Sequence, residues 1–122
     1  SCIGEESCYW MGDTTIVGEG SCIGEEACYS FNYREQATIG DNSCIGKLSC
    51  NDSEEMKVGP NSCQGYKSCY DMNGDVTIGN NSCVGEYACC YINSWATNPT
   101  PVVVGDYSCR NETNACFFVD GK

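Results

Sequence analysis

With 122 residues and a formal net charge of -11, the chain has the length of one domain and an acidity that repels nucleic-acid phosphates. Its 41% apolar content overstates the core, because thirteen cysteines are counted in it, Phe occurs 3 times, and Leu once at Leu48. No apolar run reaches the length of a membrane span, which excludes membrane insertion through a helix.

The chain opens with Ser1-Cys2-Ile3-Gly4-Glu5-Glu6-Ser7-Cys8, and this octad returns with small changes at Ser21, Ser43, Ser62, Ser82 and Ser108. The first cysteines of the copies, Cys2, Cys22, Cys44, Cys63, Cys83 and Cys109, lie 20, 22, 19, 20 and 26 residues apart. The second cysteines are Cys8, Cys28, Cys50, Cys69, Cys89 and Cys116, with one extra residue before the last. A second constant element, an aliphatic residue followed by glycine, stands between copies at Val17-Gly18, Ile39-Gly40, Val58-Gly59, Ile78-Gly79 and Val104-Gly105. Self-similarity at about twenty residues is the signature of a solenoid, in which equivalent positions stack into columns. No segment has the length or period of an amphipathic helix. The expected fold is therefore all-β: one disulfide-rich β-solenoid (parallel β-helix) over residues 1-122, with about six rungs of roughly 20 residues and no clear caps. The rungs start near residues 1, 21, 43, 62, 82 and 108.

Alternation assigns the faces of the strand before each aliphatic-glycine pair. Val17, Ile39, Val58, Ile78 and Val104 form an inward column, as do Thr15, Ala37, Met56, Val76 and Val102 two residues earlier. Ile16, Thr38, Lys57, Thr77 and Val103 then point outward. The Ser-Cys-Ile-Gly segment admits two phases. Stretches such as Ile39-Gly40-Asp41-Asn42-Ser43-Cys44 resemble the hexapeptide pattern of left-handed β-helices, a resemblance that implies outward cysteines. The opposite phase puts the cysteines inside and the next residue outside; Gln64 and Arg110 favour it, since burying them would strand polar groups.

So many evenly placed cysteines read as a disulfide framework formed in an oxidising compartment, which predicts an extracellular, secreted protein. No stretch has the form of a signal peptide, and the start at Ser1 reads as a processed one. Two pairings are open. Between rungs, stacked cysteines sit at the strand spacing of roughly 4.8 Å, inside the Cα window a disulfide allows. Within a rung, a bridge closes a ring of about seven residues, worth roughly 2.4 kcal/mol on the loop-entropy scale. Only the within-rung scheme gives every turn the same bond. It pairs Cys2-Cys8, Cys22-Cys28, Cys44-Cys50, Cys63-Cys69, Cys83-Cys89 and Cys109-Cys116. Cys90 is left over, as a free thiol packed like a small apolar side chain or as an intermolecular link. Zinc fits poorly, because structural zinc cysteines stand two to four residues apart.

Asp71-Met72-Asn73-Gly74-Asp75 places Asp71, Asn73 and Asp75 at alternate positions as calcium loops do, making calcium the one cofactor candidate. It lacks the distal glutamate, and a turn on Asn73-Gly74 is the simpler reading. Asn51, Asn80 and Asn111 head acceptor triplets for N-glycosylation, so glycans are candidate attachments. Glu5-Glu6 and Glu25-Glu26 stack as like charges if the rungs stack. Without histidine, and with Arg34 and Arg110 as the two arginines, the chain offers little catalytic machinery, so no enzymatic activity is expected.

The repeat also resembles the cysteine-rich Ser-Cys-x-Gly-x-x-Ala-Cys arrays of secreted proteins of algae and other microbes, which implies a surface role. Asn111 in place of glycine and the extra residue before Cys116 depart from that pattern. Reading from Val119-Asp120-Gly121-Lys122 back to Ser1-Cys2-Ile3-Gly4 preserves the phase of the repeat. The expected function is a subunit of a head-to-tail extracellular filament or surface layer, a homopolymer, with the stretch Tyr91 to Pro101 and its Trp95 supplying lateral contacts. The alternatives are an ice-binding solenoid with a threonine ladder and a calcium- or carbohydrate-binding adhesive module.

Overall fold

The computed structural model describes residues 1-11, 14-30, 37-53, 56-92 and 101-117. Five short strands, β1 (Ile16-Val17), β2 (Thr38-Ile39), β3 (Met56-Val58), β4 (Val76-Ile78) and β5 (Val102-Val104), form one parallel sheet in chain order. Register follows the repeat: Ile16 pairs Thr38, Thr38 pairs Lys57, Lys57 pairs Thr77, and Thr77 pairs Val103. A second parallel column of single-residue bridges runs through Ile3, Ile23, Ile45, Gln64, Val84 and Arg110. With no helix among the described residues, the chain is an all-β parallel solenoid.

The alternation in β1 to β5 orients the side chains as the sequence predicts. Ala37, Met56 and Val76 are fully buried, as are Ile39, Val58 and Ile78 to within a few per cent, whereas Ile16, Thr38, Lys57 and Val103 are exposed. The cysteines point inward. Cys22, Cys28, Cys44, Cys50, Cys63, Cys69, Cys83 and Cys89 all lie in the core beside Met56, Met72 and Ile92. Gln64 sits in the outward phase, its side-chain amide donating to the Asn42 carbonyl at 2.8 Å.

The Ser-Cys-Ile-Gly segment is nevertheless not an ordinary strand. Cys22, Cys44, Cys63, Cys83 and Cys109 all have φ of 53 to 55°, and the second cysteines from Cys8 to Cys116 have φ of 54 to 59°. Left-handed backbone at a residue with a Cβ is costly, on the order of 1-3 kcal/mol, and persists only where the surroundings fix it. Here the inter-rung hydrogen bonds fix it. In the third rung the Leu48 and Asp52 amides donate back to Glu25 and Tyr29, while the Cys44 and Cys50 amides donate forward to Ser62 and Ser68. All four donors have positive φ. The residues between them close local turns, Ser49 onto Gly46 and Asn51 onto Leu48. One corner thereby ties each rung to both neighbours.

Two serine columns complete the backbone pairing, and their chemistry explains why one varies and the other does not. In the first, the Ser43 hydroxyl donates to the Gly59 carbonyl at 2.8 Å and accepts the Ser62 amide at 3.1 Å; Ser21, Ser62 and Ser82 do the same. In the second, the Ser49 hydroxyl donates to the Cys63 carbonyl at 2.6 Å, and that carbonyl also accepts the Ile45 amide. Loss of a second-column hydroxyl strands nothing, and Ala27 and Ala88 occupy that column in this chain. Loss of a first-column hydroxyl leaves a buried N-H without its acceptor. Ser43→Ala is expected to cost about 1-3 kcal/mol and Ser49→Ala about 0.5-1.5, an ordering that equilibrium denaturation of the two variants checks directly.

Candidate functional site

The six disulfides form the column around which everything else is arranged. Cys2-Cys8, Cys22-Cys28, Cys44-Cys50, Cys63-Cys69, Cys83-Cys89 and Cys109-Cys116 are bonded within their rungs, with Cα atoms 5.5 to 5.8 Å apart. The first five each span a glycine corner, and all six clamp the two arms of their corner. In the last rung Asn111, with φ of 66°, replaces the glycine whose φ is 132 to 144° in the others, and the extra residue before Cys116 absorbs the difference. Asparagine tolerates αL but not the region those glycines occupy.

Cys90 is free and fully buried, which places it out of reach of another chain and leaves the packed-thiol alternative. Burial pushes its thiol up to about 12, against a smaller lowering pull from Lys67. A thiol with so little thiolate is a poor nucleophile. Native protein is expected to give no Cys90 adduct with iodoacetamide at neutral pH and one adduct once denatured without reductant, as intact mass would report.

Among the described residues, the only group of three cysteine, histidine or acidic side chains whose donor atoms lie within 4.8 Å of one another is Cys44, Cys50 and Cys63. Their sulfurs are held in disulfides, so they offer no thiolate to a metal. Asp71, Asn73 and Asp75 do not converge in that way on further acidic side chains. The Asp71 amide donates to Asn51, the Asn73 amide to Ile92, and the Asp75 carbonyl accepts Val102, so the segment is fastened to both neighbouring rungs by its backbone. Burial, and then the charge of Asp52, raise the Asp71 carboxyl above the usual carboxylate range.

The glycosylation candidates separate by burial. Asn51 is 5% exposed, and its Nδ2 donates to the Glu26 carbonyl and carboxylate. A glycan on Nδ2 would occupy that packed space, so Asn51 departs from the sequence expectation of an accessible acceptor. Asn80 and Asn111 are exposed. The acidic corner also departs from simple repulsion. Lys47 stands in the column of Glu5 and Glu25, and its ammonium lies 3.1 Å from the Glu25 carboxylate. Both partners are half exposed, so the pair relieves like-charge stacking more than it stabilises the fold. The Glu25 hydrogen bond and charge raise the Lys47 pKa.

An aromatic cluster occupies the same side of the later rungs, which sequence reading by column did not bring together. Tyr66 meets Tyr87 edge to face with ring centroids 5.4 Å apart, Tyr70 meets Tyr91 at 5.9 Å, and Phe117 contacts both Tyr87 and Tyr91. The Lys67 ammonium lies 4.9 Å from the Tyr70 ring centre and 5.7 Å from that of Tyr66. Burial, and then the neighbouring Tyr66 and Glu86, raise the Tyr87 phenol. The Tyr66-Tyr87 and Tyr70-Tyr91 contacts are diagonal, each joining a residue just after the corner glycine or the second cysteine in one rung to the next position in the following rung. Tyr9 and Tyr29, in one column, stack at 5.8 Å. Residues 93 to 100, with Trp95, and residues 118 to 122, with the junction sequence, lie outside the described residues.

Residues 1-48 and 32-122 each match the family described as a domain of unknown function, DUF7640. The chain belongs to the DUF7640 family. Each match spans more than two rungs, so a DUF7640 unit is itself a stack. The family description carries no activity and names no cysteine-repeat array, and what is established of this DUF7640 chain is a cysteine-rich, disulfide-bonded parallel β fold. No curated protein and no solved structure matches it.

Proposed function

We propose that this DUF7640 chain is a structural module of a secreted protein that extends by stacking rung on rung, in its fullest form as a head-to-tail filament or surface layer. The observation that carries the reading is the translational identity of the inter-rung bonds. The Cys-to-Ser amide bond recurs from Cys22 to Ser43, Cys44 to Ser62, Cys63 to Ser82 and Cys83 to Ser108, each at 3.0 Å. Any rung with this sequence can be received by the one before it. Cys2 and Ile3 are exposed, whereas Cys22 is buried and Ile23 partly so; a preceding rung, from the same polypeptide or another copy, would cover them. Six disulfides suit an oxidising extracellular setting.

The homopolymer form is tested by sedimentation and negative-stain microscopy over a range of protein concentrations, with and without calcium. Growth of rods one rung-width across supports it, and a monodisperse monomer throughout overturns it. Ice binding is the weaker reading. Its template would be the outward column of the sheet, where Lys57 interrupts Thr38 and Thr77. A flat ordered-water array needs an unbroken ladder, so no thermal hysteresis is expected at high protein concentration.

A further inference from the structure

Parallel stacking with a fixed register holds side chains of successive rungs against one another permanently, and on this chain several of those side chains are tyrosines. Tyr66 and Tyr87 come from adjacent rungs, their rings 5.4 Å apart at 88°, with Tyr66 37% exposed. The backbones that carry them are tied directly, the Tyr87 amide donating to the Tyr66 carbonyl at 2.9 Å. Tyr66 lies close enough to Tyr87 to raise its phenol. With ring centroids 5.4 Å apart the ring edges meet, which brings the carbons ortho to the hydroxyls, Cε1 and Cε2, within a side-chain rotation of one another. The Tyr66 ring is exposed and that of Tyr87 half-buried, and reorientation of the exposed ring on the picosecond-to-nanosecond scale takes the edge-to-face pair through the side-by-side approach.

We propose that Tyr66 and Tyr87 are a site of oxidative cross-linking, forming a dityrosine bond between neighbouring rungs when a haem peroxidase and hydrogen peroxide are supplied. Each phenol gives one electron and one proton to the peroxide, which is reduced to two waters. The two tyrosyl radicals join through a new bond between one Cε of each ring. The hydrogens displaced from those carbons move to the phenolic oxygens, so both rings regain aromaticity and both hydroxyls are restored. The net change is two tyrosines and one hydrogen peroxide to one dityrosine and two waters, with a loss of two hydrogens from the protein. Holding both radicals on one scaffold makes coupling effectively unimolecular, ahead of encounters between separate chains. Tyr9 and Tyr29, stacked 5.8 Å apart, present the same chemistry in the first two rungs. The inference does not depend on filament formation, because both partners lie in one chain.

The test treats dilute folded protein with a haem peroxidase and hydrogen peroxide, follows dityrosine fluorescence, and maps the linked peptides by mass spectrometry. The expected result is an intramolecular link joining residues 66 and 87. Tyr66→Phe and Tyr87→Phe, which keep the ring and lose the phenol, each abolish that peptide and lower the fluorescence at least twofold where this pair dominates the product. Tyr107→Phe, altering an exposed tyrosine with no tyrosine ring beside it among the described residues, leaves the peptide unchanged. Reduced and alkylated chain, treated identically, loses the preference for 66-87. Absence of that link in folded protein under conditions that couple free tyrosine overturns the proposal, as does equal formation of it in unfolded chain.

Discussion

Reduction of the disulfides unfolds this chain, and it proceeds from the two terminal rungs inward. Each bridge closes a small ring worth about 2.4 kcal/mol in the loop-entropy account, and six of them are comparable with the whole stability of a domain, roughly 5-15 kcal/mol. The aliphatic core that remains is a narrow file of Ala37, Ile39, Met56, Val58, Met72, Val76, Ile78, Ala88, Ile92 and Val104, too little to hold so many left-handed residues in place. Access sets the order. Cys22 to Cys89 are fully buried, while Cys2 and Cys116 are exposed and Cys8 and Cys109 partly so. A thiol reductant therefore reaches the first and sixth bridges before the four between them. Timed quenching with an alkylating reagent and peptide mapping should find Cys2, Cys8, Cys109 and Cys116 labelled first, with loss of the far-ultraviolet signal once the central bridges follow. Simultaneous labelling of all twelve, or an intact fold after complete reduction, would refute this.

The parts of the structure that could be read from the letters are those with a short period. Valine and isoleucine at 17, 39, 58, 78 and 104 declare one inward column, and the alternation about them gives the sheet and its register. Repeat symmetry also argued for one bond per rung. What stayed hidden is the backbone of the corner. Sequence reasoning assigns positive φ to glycine and asparagine, and it is right at Asn42, Asn61 and Asn81, but the chain also takes that conformation at both cysteine columns and at Leu48, Lys67 and Tyr87. Nothing in leucine, lysine or tyrosine signals this; the demand comes from the neighbouring rung, whose carbonyls must be met. The aromatic cluster was hidden for a related reason. Tyr66 and Tyr87 occupy different positions of the repeat, and only the offset between rungs at the corner brings them together. Asn51 illustrates the converse, since its triplet looks like a surface acceptor while its short side chain is packed onto Glu26 of the preceding rung.

Gly46→Ala is expected to be among the most damaging single substitutions away from the cysteines. Gly46 has φ of 133°, a region closed to residues with a side chain, and a Cβ there would lie 2.5 Å from the Gly65 carbonyl oxygen of the next rung. Neither problem can be relieved locally. Rotating the backbone to a permitted φ breaks the bonds from the Gly46 amide to Ile23 and from the Gly65 amide to Ile45, and moving the next rung away lengthens every bond of the stack. Strained backbone and overpacking each cost about 1-3 kcal/mol, so the sum is about 2-6. For a chain of this size that lowers the melting temperature by about 10 °C or more. Gly20 supplies the control. Its φ of 68° is close to the 54-56° of Asn42, Asn61 and Asn81 in the same column, and a Cβ there would meet only the movable side-chain oxygen of Asn42. Gly20→Asn should therefore melt within about 3 °C of the parent, or above it, because it also restricts the unfolded chain. Thermal denaturation of both variants separates the two kinds of glycine. If Gly46→Ala melts with the parent, rigid rung-to-rung registry, on which the proposed stacking depends, is not what holds this chain together.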